Sequence, residues 1–99
     1  MASISFEDFR ASLGAAAPPL GVSPALAAMW HDAKGEWDAA HRLAQAEENA
    51  DGAWVHAYLH RVEGDLANAG YWYRRAGKPA SQQPLPAEWT AIVKALLMA

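Results

Sequence analysis

The sequence predicts an all-α protein: a bundle of five to six helices that contains two helical hairpins and folds as a single domain over residues 1–99. Two observations lead to this fold class. Glycine and proline residues divide the chain into short segments, and inside them apolar residues recur at helical spacing, without the alternation of strands. Alanine, the best helix former, is the commonest residue in the 53% of the chain that is hydrophobic.

The first two helices are predicted from their N-terminal caps. Ser5 is followed three residues later by Asp8, the spacing of an N-cap with an acidic partner, and it starts a short helix over about residues 5–13. A proline-rich segment follows, through which no helix can continue. Ser23 then precedes Pro24, and a cap followed by proline at the first helical position indicates that the next helix begins there.

Two glycines predict the helical hairpins. Gly35 and Gly64 each separate two helical segments by very few residues, so the helices on either side are expected to fold back on each other as neighbours. The first hairpin is predicted over about residues 24–48 and the second over about residues 52–77. The two hairpins would form the middle of the bundle.

Further boundary signals define the second hairpin and the last helix. Asp51 and Asp65 are the predicted N-caps of the two helices in this hairpin, and Gly77 ends it. Pro86 opens the last helix, over about residues 86–98, whose bulky apolar face is predicted to cover the second hairpin. The opposite face is also rich in apolar residues, which predicts a homodimer through this C-terminal helix.

The two hairpins share a sequence motif at their turns. Residues 35–40 (GEWDAA) align with residues 64–69 (GDLANA): each has glycine, an acid, a large apolar residue, two further residues and alanine. The motif is similar to those of the tetratricopeptide and Sel1-like families, and this resemblance implies stacked helix-turn-helix units that bind peptides or proteins. Residues 53–61 (AWVHAYLHR) and 71–77 (YWYRRAG) resemble a family of small uncharacterised proteins, mainly bacterial, which implies no particular chemistry.

Composition and charge exclude several classes of protein. The chain has no cysteine, which excludes a disulfide scaffold, a zinc site with cysteine ligands and a thiol enzyme. Its net charge of -3 has the wrong sign for a general nucleic-acid-binding protein. No apolar segment is long enough to span a membrane, and the N-terminal residues lack the pattern of a secretory signal, so we expect a cytoplasmic protein. The serines lie in caps and loops without a nucleophile motif.

Four histidines are candidate metal ligands. His56 and His60 are four residues apart, so both rings project from one helix face and could bind one metal ion. His31 or His41 would add a third nitrogen if the hairpins pack closely. Imidazole ligands without cysteine favour zinc, nickel or copper, so the cofactor would be zinc or another divalent transition metal. Alternatively, the histidines are partly buried and bond separately to backbone carbonyls or to carboxylates at the hairpin turns.

Tyr71, Arg74 and Arg75 form the first of two candidate protein-binding surfaces. They lie on the side of their helix opposite Trp72 and Tyr73, which are expected in the core. Tyrosine and arginine together could bind an acidic peptide. The alternatives are an ordinary solvated face with cations near a helix C-terminus, or a surface on which nucleic-acid bases stack, which the net charge disfavours.

Trp54, Tyr58 and Arg61 form the second candidate surface. In tetratricopeptide-like proteins the first helix of each hairpin lines a concave groove, so the resemblance implies that these side chains face a bound peptide. Tryptophan, tyrosine and arginine are also the residue types that contribute most to binding energy at interfaces. The competing interpretation is that Trp54 and Tyr58 simply pack against the other hairpin.

The function predicted from the sequence is a non-catalytic protein–protein interaction module without a cofactor. Its partner would be a protein or peptide, not nucleic acid or a membrane. The repeated turn motif and the lack of catalytic motifs lead to this prediction. The alternative is a histidine-based metal-binding protein or a small metal-dependent enzyme, which the four histidines on neighbouring helices suggest.

Overall fold

The structure is a computed structural model that describes residues 4–98. Its α-helices are α1 (Phe6–Ala11), α2 (Pro24–Ala33), α3 (Trp37–Ala46), α4 (Ala50–Val62), α5 (Leu66–Ala76) and α6 (Leu85–Met98). No strand occurs within the described range, so the predicted all-α bundle of five to six helices is confirmed. Residues 1–3 and 99, which the predicted domain includes, lie outside the description. None of the described helices is both long and apolar enough to cross a membrane.

Side chains cap the helices largely where the sequence predicts. Oxygens of Ser5, Ser23 and Asp65 each accept a hydrogen bond from the backbone N–H three residues later, which stabilises the first turns of α1, α2 and α5. The predicted cap of α4, Asp51, is wrong. Asn49 takes that place because its backbone is extended, and its side chain accepts a bond of 2.9 Å from the N–H three residues on.

Left-handed glycines make the two tight turns. Gly35 has φ of 78° and Gly64 has φ of 88°, a conformation that other residues rarely adopt. Both turns close with the same hydrogen bond, in which the N–H of Glu36 or Asp65 donates to the carbonyl of His31 or His60 at 2.9 Å. As a result α2 packs against α3, and α4 packs against α5.

Helix α4 is the centre of the bundle. It packs against α2, α3, α5 and α6, and every residue from position 52 to position 60 except Trp54 is buried. Its bulky side chains join the main core, whereas its other face carries alanines and histidines. Ala57 and Ala69 are almost fully buried where α4 meets α5, and their small size lets the two helices approach closely.

Helix α6 packs differently from the sequence prediction. It contacts α1, α2 and α4, so it does not cover the second hairpin alone. The reason is that its buried residues Ile92 and Val93 join one continuous core with Phe9 of α1 and Met29 of α2. The indole N–H of Trp89 also donates to the Met29 carbonyl at 3.0 Å, which fixes α6 across α2.

Candidate metal centre

Three of the four histidines converge between α3 and α4. His41 lies on α3, and His56 and His60 lie one turn apart on α4. One ring nitrogen from each residue lies within 4.8 Å of the other two. The Nε2 atoms of His41 and His56 are 2.9 Å apart, the distance of a hydrogen bond in which one ring donates and the other accepts. The packing of α3 on α4 therefore brings together residues that are distant in sequence.

The fourth histidine lies apart from this cluster. His31 Nδ1 is 2.6 Å from Glu36 Oε1 across the turn between α2 and α3. His31 therefore has a separate contact with a carboxylate at a hairpin turn, as expected from the alternative interpretation in which the histidines do not bind a metal. His31 and His60 occupy equivalent positions before the two turns, yet of these two only His60 belongs to the cluster.

Two tryptophans hold the histidine rings by stacking. Trp37 stacks on His41 with a centroid separation of 4.7 Å and an interplanar angle of 12°, which places His41 beside Trp37 as its helical spacing indicates. The Trp37 N–H donates to the Leu59 carbonyl at 2.8 Å, so this indole is itself fixed. Trp72 of α5 stacks on His56 at 3.8 Å and 13°. Nothing in the sequence indicated this second stack, since it depends on the contact between α4 and α5.

Glu63 orients the third ring. His60 Nδ1 is 2.7 Å from Glu63 Oε1, a contact between residues three apart at the C-terminal end of α4. A carboxylate at Nδ1 keeps the proton there and leaves the Nε2 lone pair available. Histidines that bind metals commonly have such a carboxylate behind them, because it fixes the tautomer and makes the ring a better ligand.

Burial keeps two of the three rings, those of His41 and His56, in the form that binds metals. Desolvation, followed by the neighbouring His41 and His60, lowers the pKa of His56 to about 4. Desolvation also lowers the pKa of His41, and His60 adds to the effect. Both rings are therefore neutral at physiological pH, and neutral imidazole is the species that coordinates a metal ion.

The spacing of the three nitrogens is close to that of a metal site. Zinc binds histidine at about 2.0–2.1 Å, which places two nitrogens of a tetrahedral site roughly 3.3 Å apart. His41 and His56 are already near this separation at 2.9 Å. The outer limit of 4.8 Å for the set exceeds it by about 1.5 Å, so binding an ion requires the rings to move closer together by up to this amount. The residues present fit an ion held by three nitrogens.

A surface cleft gives access to one edge of the cluster. The cleft has a volume of about 430 Å³ and is lined by the connection between α3 and α4 together with His56, Trp72 and Arg75. Its size is that of a typical small-molecule pocket. The histidines are therefore buried against protein on most sides without being sealed from solvent.

Two members of the Trp54, Tyr58 and Arg61 surface are engaged inside the bundle. Tyr58 is 3% exposed and donates to the Leu85 carbonyl at 3.4 Å. Arg61 pairs with the buried Glu88 at 2.7 Å and also donates to a carbonyl in the loop before α6. Trp54 is half-buried beneath an exposed lysine ammonium. The structure places Tyr58 and Arg61 where they join α4 to α6, so they do not form one open surface with Trp54.

The Tyr71, Arg74 and Arg75 surface is exposed. All three residues lie on the outside of α5, and Arg75 donates to the Tyr71 hydroxyl at 3.1 Å. The Arg75 guanidinium also lies 5.1 Å from the centre of the Trp72 ring. Trp72, expected in the core, is only half-buried, because one face of its ring stacks on His56 while the side chain also lines the surface cleft.

Comparisons with known proteins add nothing to this geometry. No family model matches the chain, and no match is found among curated proteins or solved structures. The case for a function therefore depends on the arrangement of the side chains.

Proposed function

We propose that this protein binds a divalent transition metal ion through His41, His56 and His60. The observation that carries the proposal is the convergence of three ring nitrogens from two helices within 4.8 Å. The stacking of two tryptophans and the Glu63 carboxylate behind His60 support it, because both reduce the freedom of the ligands before the ion arrives.

The ligand chemistry favours zinc. Three imidazoles suit zinc, nickel and copper, whereas calcium and magnesium prefer sets of oxygen ligands. The d electrons of zinc impose no geometry, and its protein sites are usually tetrahedral, with histidine as a common ligand. A set of three nitrogens leaves one coordination position for water or for another ligand. Because the ligands come from α3 and α4, the ion would link the two helices.

The test is a metal titration with a matched pair of histidine variants. The untagged chain is stripped with EDTA and titrated with zinc by calorimetry, and with cobalt by visible absorption. We expect one ion per chain and the absorption bands of a tetrahedral nitrogen site. His60→Gln should weaken zinc binding by more than tenfold, since it removes a ligand. His31→Gln changes the same residue type at the equivalent turn and should have no effect.

Two results would contradict the proposal. One is the absence of stoichiometric binding in the wild-type chain. The other is an equal loss of binding in both variants. His41→Gln serves as a second ligand variant, because His41 is only half-buried and its replacement disturbs the core less. Circular dichroism shows that each variant keeps its helices.

We propose, as a second function, that the exposed surface of α5 binds an acidic protein segment. The observation that favours it is the cluster of Tyr71, Arg74 and Arg75, in which one guanidinium lies over two aromatic rings. A fluorescent glutamate-rich peptide should bind, and added salt should weaken the complex. The double variant Arg74→Ala with Arg75→Ala should lose this binding. Arg42→Ala, at an exposed arginine of α3, should retain it, and equal losses would contradict the proposal.

Three further predictions from the sequence are proposed together with this second function. They are a tetratricopeptide-like stacking of the helix pairs, a bacterial cytoplasmic setting and a homodimer through α6. The exposed Met98 at the end of α6 supports the homodimer, because a large apolar side chain that is 87% exposed loses water contact when a second copy covers it.

A further inference from the structure

A second cavity of about 430 Å³ lies at the junction of α1, α2, α4 and α6. It shares no lining residue with the cleft beside His56. Pockets for small molecules have volumes of about 300–1,000 Å³, so this cavity has room for a compact ligand. Much of its lining is apolar, with contributions from Phe6, Leu13, Leu85, Pro86 and Trp89.

Three aromatic rings contribute to this lining. Phe6 and Trp89 pack edge to face at 6.2 Å, and Tyr58 is the third. The polar atoms of Trp89 and Tyr58 donate to the carbonyls of Met29 and Leu85. Tyr58 is buried, and the Lys94 ammonium already lies 5.0 Å from the centre of the Phe6 ring. The half-buried Trp89, whose N–H is engaged in the fold, is therefore the ring that offers a ligand its π surface, which attracts cations.

Asp32 is the acidic residue of the cavity. It is half-buried at the end of α2, and of the ion pairs formed within residues 4–98 none involves it. Burial raises the pKa of Asp32 to about 6, which reflects a carboxylate that has lost water without gaining a cation. A positively charged ligand would provide the missing counter-charge.

Arg10 also lines the cavity, and its charge has the opposite sign. Arg10 is exposed, whereas Asp32 is half-buried. A charge in contact with water is strongly screened, and a desolvated charge interacts more strongly with whatever enters the cavity. Asp32 should therefore determine the charge of the preferred ligand, with Arg10 a weak opposing influence at the rim.

We propose that this cavity binds a small organic cation, an ammonium group carried by an apolar body. The ammonium group would pair with the Asp32 carboxylate, and the apolar body would lie against Phe6 and Trp89. This site is independent of the proposed metal centre, because the two sets of residues do not overlap.

The test uses three probes of similar size and different charge. They are 2-phenylethylammonium, its neutral analogue 2-phenylethanol and the anion 3-phenylpropanoate. Binding at pH 7.5, where Asp32 is ionised, is followed by the amide chemical shifts of the uniformly labelled protein. We expect the ammonium probe to bind at least about tenfold more tightly than the alcohol, with shifts centred on the lining residues of the cavity.

Two variants decide whether Asp32 is responsible. Asp32→Asn keeps the shape of the side chain and should abolish the preference for the ammonium probe over the alcohol. Arg10→Ala removes the opposing charge and should leave that preference intact or increase it. The proposal is overturned if the alcohol or the anion binds as tightly as the ammonium probe, if Asp32→Asn keeps the preference, or if shifts do not map to the cavity.

Discussion

Replacing Asp32 by asparagine should stabilise the protein at neutral pH. Burial raises the pKa of this carboxyl group from 3.8 to about 6, so ionising it in the folded state is unfavourable. The rise is about two units, and each unit corresponds to roughly 1.4 kcal/mol. The full shift corresponds to about 3 kcal/mol, and water screens the part of the carboxylate that stays exposed. Asp32→Asn should therefore raise the free energy of unfolding at pH 7.5 by about 1–2 kcal/mol, since asparagine fills the same space without a charge.

The sign of the pH dependence follows from linkage. Between pH 4 and pH 6 the unfolded chain loses the Asp32 proton while the folded chain still holds it. The stability that this group contributes is thus complete below about pH 4 and is lost as pH rises through 6. Tyr58, which shares the cavity, has a pKa raised by burial and then by Asp32, so it stays neutral throughout. Arg10 is the other charged residue in the lining.

Urea denaturation followed by circular dichroism measures the effect. Wild type and Asp32→Asn are compared at pH 4, 5, 6 and 7.5, and the difference between them gives the contribution of the Asp32 carboxyl group. The gain should be near zero at pH 4 and should grow to its full size above pH 6. A variant that is no more stable than wild type at pH 7.5, or a gain that is independent of pH, would refute the reasoning.

Three further changes test the metal site and the fold. Glu63→Gln should weaken zinc binding by about 10- to 100-fold in a calorimetric titration, while Glu36→Gln, which alters the matching histidine contact at the first turn, should not. Glu88→Ala should lower the free energy of unfolding in urea by about 3 kcal/mol or more, because it leaves the Arg61 guanidinium partly buried without its anion. Gly64→Ala should lower it by about 1–2 kcal/mol, since φ is positive there, and an unchanged midpoint would contradict this account of the turn.

The helices could be predicted because their boundaries depend on neighbouring residues. Ser5 and Ser23 cap helices through contacts three residues away, and Gly77 ends α5 in a left-handed conformation. The N-cap of α4 was predicted at the wrong residue, because Asn49 and Asp51 are both good capping residues. The sequence alone does not show which of the two has the extended backbone that a cap requires. Helix boundaries that depend on contacts of short range can thus be predicted from the sequence, except where two neighbouring residues could both form the cap.

The candidate site could be predicted only in part, because it depends on contacts of long range. The spacing of His56 and His60 places them on one face of α4 whatever surrounds that helix. Whether His31 or His41 completes the set is decided by how α3 packs on α4, which no local pattern specifies. Arg61 illustrates the same limit, because its partner Glu88 lies 27 residues away and the pairing takes it out of the expected binding surface.

At two places in the bundle the side chains are not those that would make the fold most stable. Three imidazoles meet at the junction of α3 and α4, where hydrocarbon side chains would pack without polar atoms to satisfy. A carboxylate without a cation lies half-buried at the end of α2. Within residues 4–98 every buried side-chain nitrogen and oxygen has a hydrogen-bond partner, and the buried charge of Glu88 is paired with Arg61. Departures from otherwise consistent packing are expected where a site serves a ligand. On this argument the histidine cluster and Asp32 are the positions at which added metal or an organic cation should increase stability.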